Sequence, residues 1–198
     1  MNIRAAMLAV VPGAPQEAVD ALLAVAPLCP ALSSNARLAA LVAQCAHESG
    51  GFKRLDENLR YSAKRLCQVW PSRFHNEEEA APFAYNPEGL ANEVYGGRMG
   101  NVHPGDGWRF RGRGYLQLTG RENYRSFGLE DTPEHASEPE TAWRVAIEFM
   151  DTRSRGGKTA FEWADEGHVE NATRIINGGT HGLVDRLQLT QAALTAIV

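Results

Sequence analysis

Cysteine is scarce in this chain. The three present (Cys29, Cys45 and Cys67 of 198 residues) are odd in number and show no Cys-x-x-Cys spacing. That excludes a disulfide-stapled scaffold and a cysteine-rich zinc site, and it fits small buried thiols in a reducing compartment. Long apolar runs are also lacking: no stretch of about 18 apolar residues exists, so no helical membrane span is expected. The opening segment, Met1 to Val11, has one basic residue and a short apolar stretch that Pro12-Gly13-Ala14-Pro15 breaks, a poor core for a secretory signal. Nor is there an excess of positive charge. The net charge is −4, against the overall basic balance and continuous basic face of a nucleic-acid binder. What remains, 43% hydrophobic and 22% charged residues, is ordinary globular usage. A single domain over 1–198 is expected, with a smaller helical lobe at about 60–106.

The charge that is present is unevenly laid out. Residues 36–75 carry seven basic and three acidic groups, and residues 98–125 carry six and two. Between them Glu77, Glu78, Glu79, Glu88 and Glu93 form an acidic block, and residues 126–151 carry seven acidic groups against one basic. Two basic stretches of this kind either solvate helix faces or meet in space around an anionic ligand.

Helical periodicity dominates. Pro15 opens a helix through Ala26, with Val19, Leu22, Leu23 and Ala26 on one stripe. A second starts at the N-cap candidates Ser33-Ser34, runs with Leu38, Leu41, Val42 and Cys45, and stops at Gly50-Gly51. Further helices are expected over Ser62–Trp70, Pro87–Tyr95, 120–127, 139–152, 159–165, 168–177 and 183–197. Residues 96–114 hold seven glycines, which marks an irregular segment, and Trp108 to Leu118 alternates as a short strand or hairpin would. The expected fold is mainly α, with two helical lobes flanking a substrate cleft and a small extended element near 108–118.

His47-Glu48-Ser49-Gly50-Gly51 is the first candidate for chemistry. Glu48 lies three residues after Cys45, on the apolar side at a helix end. A carboxyl beside apolar surface, at the negative end of the helix dipole, is expected to hold its proton near neutrality, as a general acid must. Glu57 follows nine residues later, with Asp56 beside it, and the two-glycine turn lets the chain reverse so that Glu57 can face Glu48 across a cleft. Two carboxyls about 6.5–9.5 Å apart leave room for a water and imply inversion at the anomeric carbon, whereas about 5–5.5 Å implies retention. Equally, Glu57 can be a solvated loop acid. Zinc chemistry is disfavoured: the second histidine of His-Glu-x-x-His is missing, and His75, His103, His135, His168 and His181 show no ligand spacing. No metal and no cofactor are expected.

These residues belong to a longer pattern. His47-Glu48-Ser49-Gly50-Gly51-Phe52, Glu57-Asn58-Leu59-Arg60-Tyr61-Ser62 and Trp70-Pro71-Ser72-Arg73-Phe74 resemble the family 19 glycoside hydrolases, and more closely the lysozyme-type endolysins of bacteriophages and prophages. The similarity runs on through Asn86-Pro87-Glu88, Val94-Tyr95, Arg98-Met99-Gly100-Asn101 and Gly107-Trp108. It is sharpest from Arg109 through Gly120, continues at Asn123-Tyr124, and closes at Ile175-Ile176-Asn177-Gly178-Gly179.

The resemblance implies Glu48 as general acid and Glu57 as general base. It implies Thr119 as the hydroxyl that helps hold the attacking water, Gln117, Asn123 and Asn177 as sugar contacts, and Arg186 as part of the ion network around the acid. Near His181 the related chitinases carry a carboxylate that this chain lacks. Tyr95, Trp108 and Tyr115 are candidates to stack on sugar faces or to sit in a core; Arg111 and Arg113 either assist an anionic glycan or anchor their loop. The activity implied is inverting hydrolysis of the β-1,4 bond between N-acetylmuramic acid and N-acetylglucosamine. The expected partner is the peptidoglycan glycan strand, with no nucleic acid, no membrane insertion and a monomeric enzyme. Synthesis is expected in the bacterial host's cytoplasm, with a pore-former granting access to the wall. A chitinase of the same family and a catalytically silent wall-binding module are the alternatives, with a zinc amidase behind them.

Overall fold

A computed structural model describes residues 1–197. Twelve α-helices occur among them: α1 (Ile3–Val10), α2 (Gln16–Val25), α3 (Asn35–Ser49), α4 (Ala63–Val69), α5 (Glu77–Ala80), α6 (Pro87–Tyr95), α7 (Asp106–Arg109), α8 (Arg121–Ser126), α9 (Pro139–Thr152), α10 (Ala160–Asp165), α11 (Val169–Asn177) and α12 (Leu183–Ile197). No helix among the described residues is long and apolar enough to cross a membrane. The chain divides into two compact units. The first holds Met1–Leu55, Gly114–Gln117 and the chain from His135 onward; the second holds Asp56–Arg113 and Leu118–Glu134.

In the first unit α3 is the axis. Every residue from Leu38 to Ala46 is buried, and a helix apolar on all sides belongs inside a bundle. Its limits follow from local chemistry. The Ser34 hydroxyl accepts from the Arg37 N–H at the start, and Gly50 takes the left-handed conformation (φ 61°) at the end, where its N–H returns to the Ala46 carbonyl. Trp143 of α9 is fully buried, donates from Nε1 to the Ala18 carbonyl at 2.9 Å, and packs against Phe52 and Tyr115 with ring centroids 5.5 and 4.3 Å away. Truncating an indole so placed costs about 3–5 kcal/mol.

No element is assigned to the opening segment from sequence; its short apolar stretch is α1, with Ala6 and Met7 fully buried in this core. The extended element departs from the expectation. Between Trp108 and Leu118 only isolated bridges form, Arg113 pairing with Asp56 and with Leu118. The two-stranded ladder instead lies at β1 (Ser154–Arg155) and β2 (Lys158–Thr159), registered Ser154 to Thr159 and Arg155 to Lys158. Gly156 and Gly157 connect the strands with φ of 64° and 82°, the paired positive angles that a tight two-residue hairpin turn requires.

The second unit has its own smaller core of Leu59, Leu66, Phe74, Ala80, Leu90, Ala91 and Val94. Gly107 of α7 lies against α6, where a Cβ would meet the Asn92 Cα at 2.6 Å, so only glycine permits that approach. Arg121 ties this unit together, binding Asp106 through Nη2 at 2.5 Å and Nε at 3.0 Å and Glu130 through Nη1 at 2.9 Å. Burial works to raise the Asp106 carboxyl, but hydrogen bonds from Arg121 and the His103 N–H outweigh it and hold it below the usual range.

Candidate active site

Glu48 stands on the last turn of α3, in the first unit, where Gly50 ends the helix. Its surroundings are more polar than its place beside Cys45 implies. The side chain is 22% exposed and forms an ion pair with Arg186 of α12, which is itself 1% exposed. A buried guanidinium needs an anion and further hydrogen bonds around it. Arg186 has them on all three nitrogens, donating to Glu48, to the Gln44 side-chain oxygen, and to the His181 carbonyl at 3.1 Å. Gln44 in turn donates to the Thr173 hydroxyl at 3.0 Å, and that hydroxyl donates to the Val169 carbonyl at 2.8 Å. Beside this line, His47 Nδ1 lies 2.6 Å from Asp185. His181 contributes its backbone rather than its exposed imidazole.

Asn177 is spent locally. Its amide donates to the His181 carbonyl at 3.1 Å and accepts from the Gly179 N–H at 2.8 Å, so it shapes the loop that leads into α12. Gln117 adopts a positive φ of 53° and donates to the Gly114 carbonyl at 3.0 Å. Tyr115 is 1% exposed within the Trp143 cluster and serves the core, not a sugar face.

Glu57 belongs to the second unit and is half-buried. One oxygen accepts from the Tyr95 hydroxyl at 2.6 Å, the other from the Gly112 N–H at 3.2 Å. The Glu57 N–H donates to the Gly112 carbonyl at 2.9 Å, so backbone and side chain are fixed by the same loop. Burial, then the neighbouring Glu57 charge, push the Tyr95 phenol well above its ordinary value, which keeps its proton available to donate. Thr119 lies on the following loop, and its carbonyl accepts from Asn123 at 2.7 Å.

Cations crowd this loop. Arg111 and Arg113 both meet Asp56, at 2.9 and 3.4 Å, and Arg111 lies 3.9 Å over the Trp108 ring. Arg113, expected at the substrate, is 5% exposed and donates inward to the Arg109 carbonyl and the Tyr124 hydroxyl. These bonds make it the anchor of its loop. Burial, then the Arg113 charge, lower the Arg111 guanidinium below its usual value.

Sequence reading missed two members of the Glu48 neighbourhood. Gln44 carries a visible signal, being the lone polar side chain inside the apolar run Leu38–Ala46. Asp185 carries none, because its partner His47 is 138 residues away. Among the described residues no group of three histidine, cysteine or acidic side chains is placed to hold a metal ion.

The first unit thus offers a carboxyl on a buried arginine and the second a carboxylate oriented by a phenol and a backbone N–H, the two kinds of group acid–base hydrolysis employs. Comparison with known proteins gives this meaning. No protein-family model matches the chain. A glycosyl hydrolase family 19 domain-containing protein of Haemophilus influenzae is 37% identical over 163 residues, covering 79% of this chain and 78% of that protein. Chitinase C of Streptomyces griseus has the same mainly α, lysozyme-like fold, with a TM-score of 0.60 at 20% identity over 97% of this chain and 91% of that one. A bacterial family 19 chitinase gives a TM-score of 0.57 at 19% identity over 96% and 93%. The chain belongs to glycosyl hydrolase family 19 and is a glycoside hydrolase.

Proposed function

We propose that this hydrolase cleaves the β-1,4 bond between N-acetylmuramic acid and N-acetylglucosamine in peptidoglycan, with inversion, as an endolysin of phage or prophage origin. The observation that carries the reading is the grip on Glu57. Both carboxylate oxygens accept hydrogen bonds, from Tyr95 and Gly112, which orients a base for one water. Glu48 gives its proton to the glycosidic oxygen as the C–O bond breaks. Water adds to the oxocarbenium-like carbon from the opposite face, and Glu57 takes the proton that water loses. Thr119 orients the water, since a hydroxyl both donates and accepts. Gln117 and Asn123 contact N-acetyl and hydroxyl groups, and Asn177 does so through the capacity its loop bonds leave. Arg186 positions Glu48.

The cationic loop around Arg111 favours a polymer bearing carboxylates, an attraction that salt weakens. The enzyme is made in the host cytoplasm, reaches the wall through a pore-former and works as a monomer. Hydrolysis of chitin oligomers is the second reading, favoured by the solved proteins of like fold, which are chitinases by name. Release of reducing ends from purified peptidoglycan and from chitin hexamer decides between them. Glu48→Gln should abolish release with the fold intact; near-normal activity in that variant rules the acid assignment out.

A further inference from the structure

Arg73 comes from one basic stretch of the sequence and Arg98 from the other, and they line one pocket of about 170 Å³ in the second unit, with Trp70, Ser72 and Val94. The two guanidiniums are not equivalent. Arg73 is committed to Glu93, whose carboxylate lies 3.1 Å from Nε and whose backbone carbonyl accepts from Nη2. Arg98 makes one long bond, 3.3 Å from Nη1 to the Val94 carbonyl, and among the described residues no carboxylate pairs with it. A guanidinium has five N–H donors in a planar fork that matches a carboxylate. The pocket therefore holds one unneutralised positive charge with most of its donors uncommitted, beside an indole and a hydroxyl.

The pocket connects with Glu57. Trp70 meets Tyr61 edge to face, with ring centroids 5.5 Å apart. Tyr61 and Tyr95 pack against the same core of the second unit, and Tyr95 donates to Glu57. All three rings are half-buried, each leaving part of its surface to solvent. Amphipathic rings in a row are a surface on which sugar rings lie.

We propose that this pocket is a carboxylate subsite, in which Arg98, with Arg73 and Ser72 beside it, takes an acid group carried by a glycan lying along Tyr61 and Tyr95. The inference rests on Glu57 serving a wall-glycan hydrolase and deepens that reading. Chitin carries no carboxylate for Arg98 to pair with, whereas a wall strand offers the lactyl carboxylate of a peptide-free muramyl residue or the carboxylates of a stem peptide.

Binding tests this without turnover. In a Glu48→Gln background, calorimetry compares a muramyl-containing tetrasaccharide with free lactyl carboxylates, the same tetrasaccharide with those groups converted to methylamides, and its stem-peptide form. Amidation should weaken binding about tenfold, and Arg98→Gln should weaken the acidic ligands about tenfold while leaving the amide unchanged, with Arg98→Lys intermediate. Arg98 is exposed, so these variants should fold, which circular dichroism checks. A peptide form whose advantage disappears in Arg98→Gln identifies the stem carboxylate; no such advantage identifies the lactyl one. Equal binding of acid and amide, or equal loss of both in Arg98→Gln, overturns the subsite. Wild-type lysis of peptidoglycan without carboxylate preference would sink the subsite alone, while cleavage of chitin only, with the preference intact, would sink the peptidoglycan reading alone.

Discussion

Gly182 lies directly against the His47 imidazole, at a backbone φ of 69°, and a Cβ at that position would overlap the ring. His47 immediately precedes Glu48, and its Nδ1 is 2.6 Å from Asp185. The turn before α12 and the end of α3 therefore fit together around the His47 ring, and Gly182 stands four residues before Arg186, the arginine that holds Glu48.

Gly182→Ala should consequently do more than strain one turn. Left-handed backbone in a non-glycine residue costs about 1–3 kcal/mol, and here the ring must also move. Thermal unfolding should show that loss. Because the displaced His47 adjoins Glu48, glycosidase activity should fall further than the unfolded fraction explains. Unchanged melting and activity would mean that the turn and the helix end are not coupled.

Gln44 tests the buried line behind Glu48, the proposed acid. Gln44→Met keeps the volume and removes the acceptor for Arg186 and the donor for Thr173. An unmatched buried donor costs about 1–3 kcal/mol, more beside a charge, so denaturant unfolding should register at least that loss. The turnover number should fall with little change in KM, since no substrate contact is assigned to Gln44.

How far this could be read from the chain depended on whether the cause was local. The helices with a cap and an apolar stripe, α3 with Ser34 and Gly50 or α9 with Pro139, are legible because their determinants lie within a few residues. The hairpin turn was equally local, at Gly156-Gly157, but the glycine-rich stretch before Leu118 drew the strand assignment away from it. There, glycines and the positive φ of Gln117 serve a loop. Helix α1 has only eight residues, and the proline cluster after it hides its stripe. For the site, the family motifs point to Glu48, Glu57 and the ion-network residue Arg186, but not to Gln44 or Asp185, nor to the Tyr95 bond on Glu57. Arg186 and Asp185 each reach across 138 residues, and no periodicity encodes a contact made by tertiary packing.

The second unit should fail in acid through Glu130. Hydrogen bonds from Arg125 and then Arg121 pull its carboxyl down from 4.5 to about 2. A folded-state value below the unfolded one contributes stability that is fully present above the unfolded value. That contribution is lost as pH falls from about 4.5 towards 2. Melting temperature measured across this window should drop more steeply for the wild type than for Glu130→Gln, which has no charge there to lose. Parallel curves would show that the Arg121 and Arg125 contacts to Glu130 are too well solvated to matter.

Tyr95→Phe isolates the phenol that orients Glu57. The substitution removes one hydroxyl and keeps the ring packed against the second unit's core, so the melting temperature should move little. Glu57 retains the Gly112 N–H at 3.2 Å but loses its shorter bond, and the freed oxygen can rotate away from the water that the proposed mechanism has it deprotonate. A net hydrogen bond of about 1–1.5 kcal/mol, felt only when the carboxylate is aimed, corresponds to a kcat lower by roughly five- to tenfold. The phenol keeps its own proton because burial and the Glu57 charge raise it, so it acts as a fixed donor and not as a competing base. A Tyr95→Phe enzyme with unchanged kcat on the substrate that wild type prefers would take this orienting role from Tyr95, and if Glu57→Gln were also active, the base would have to be sought at Asp56.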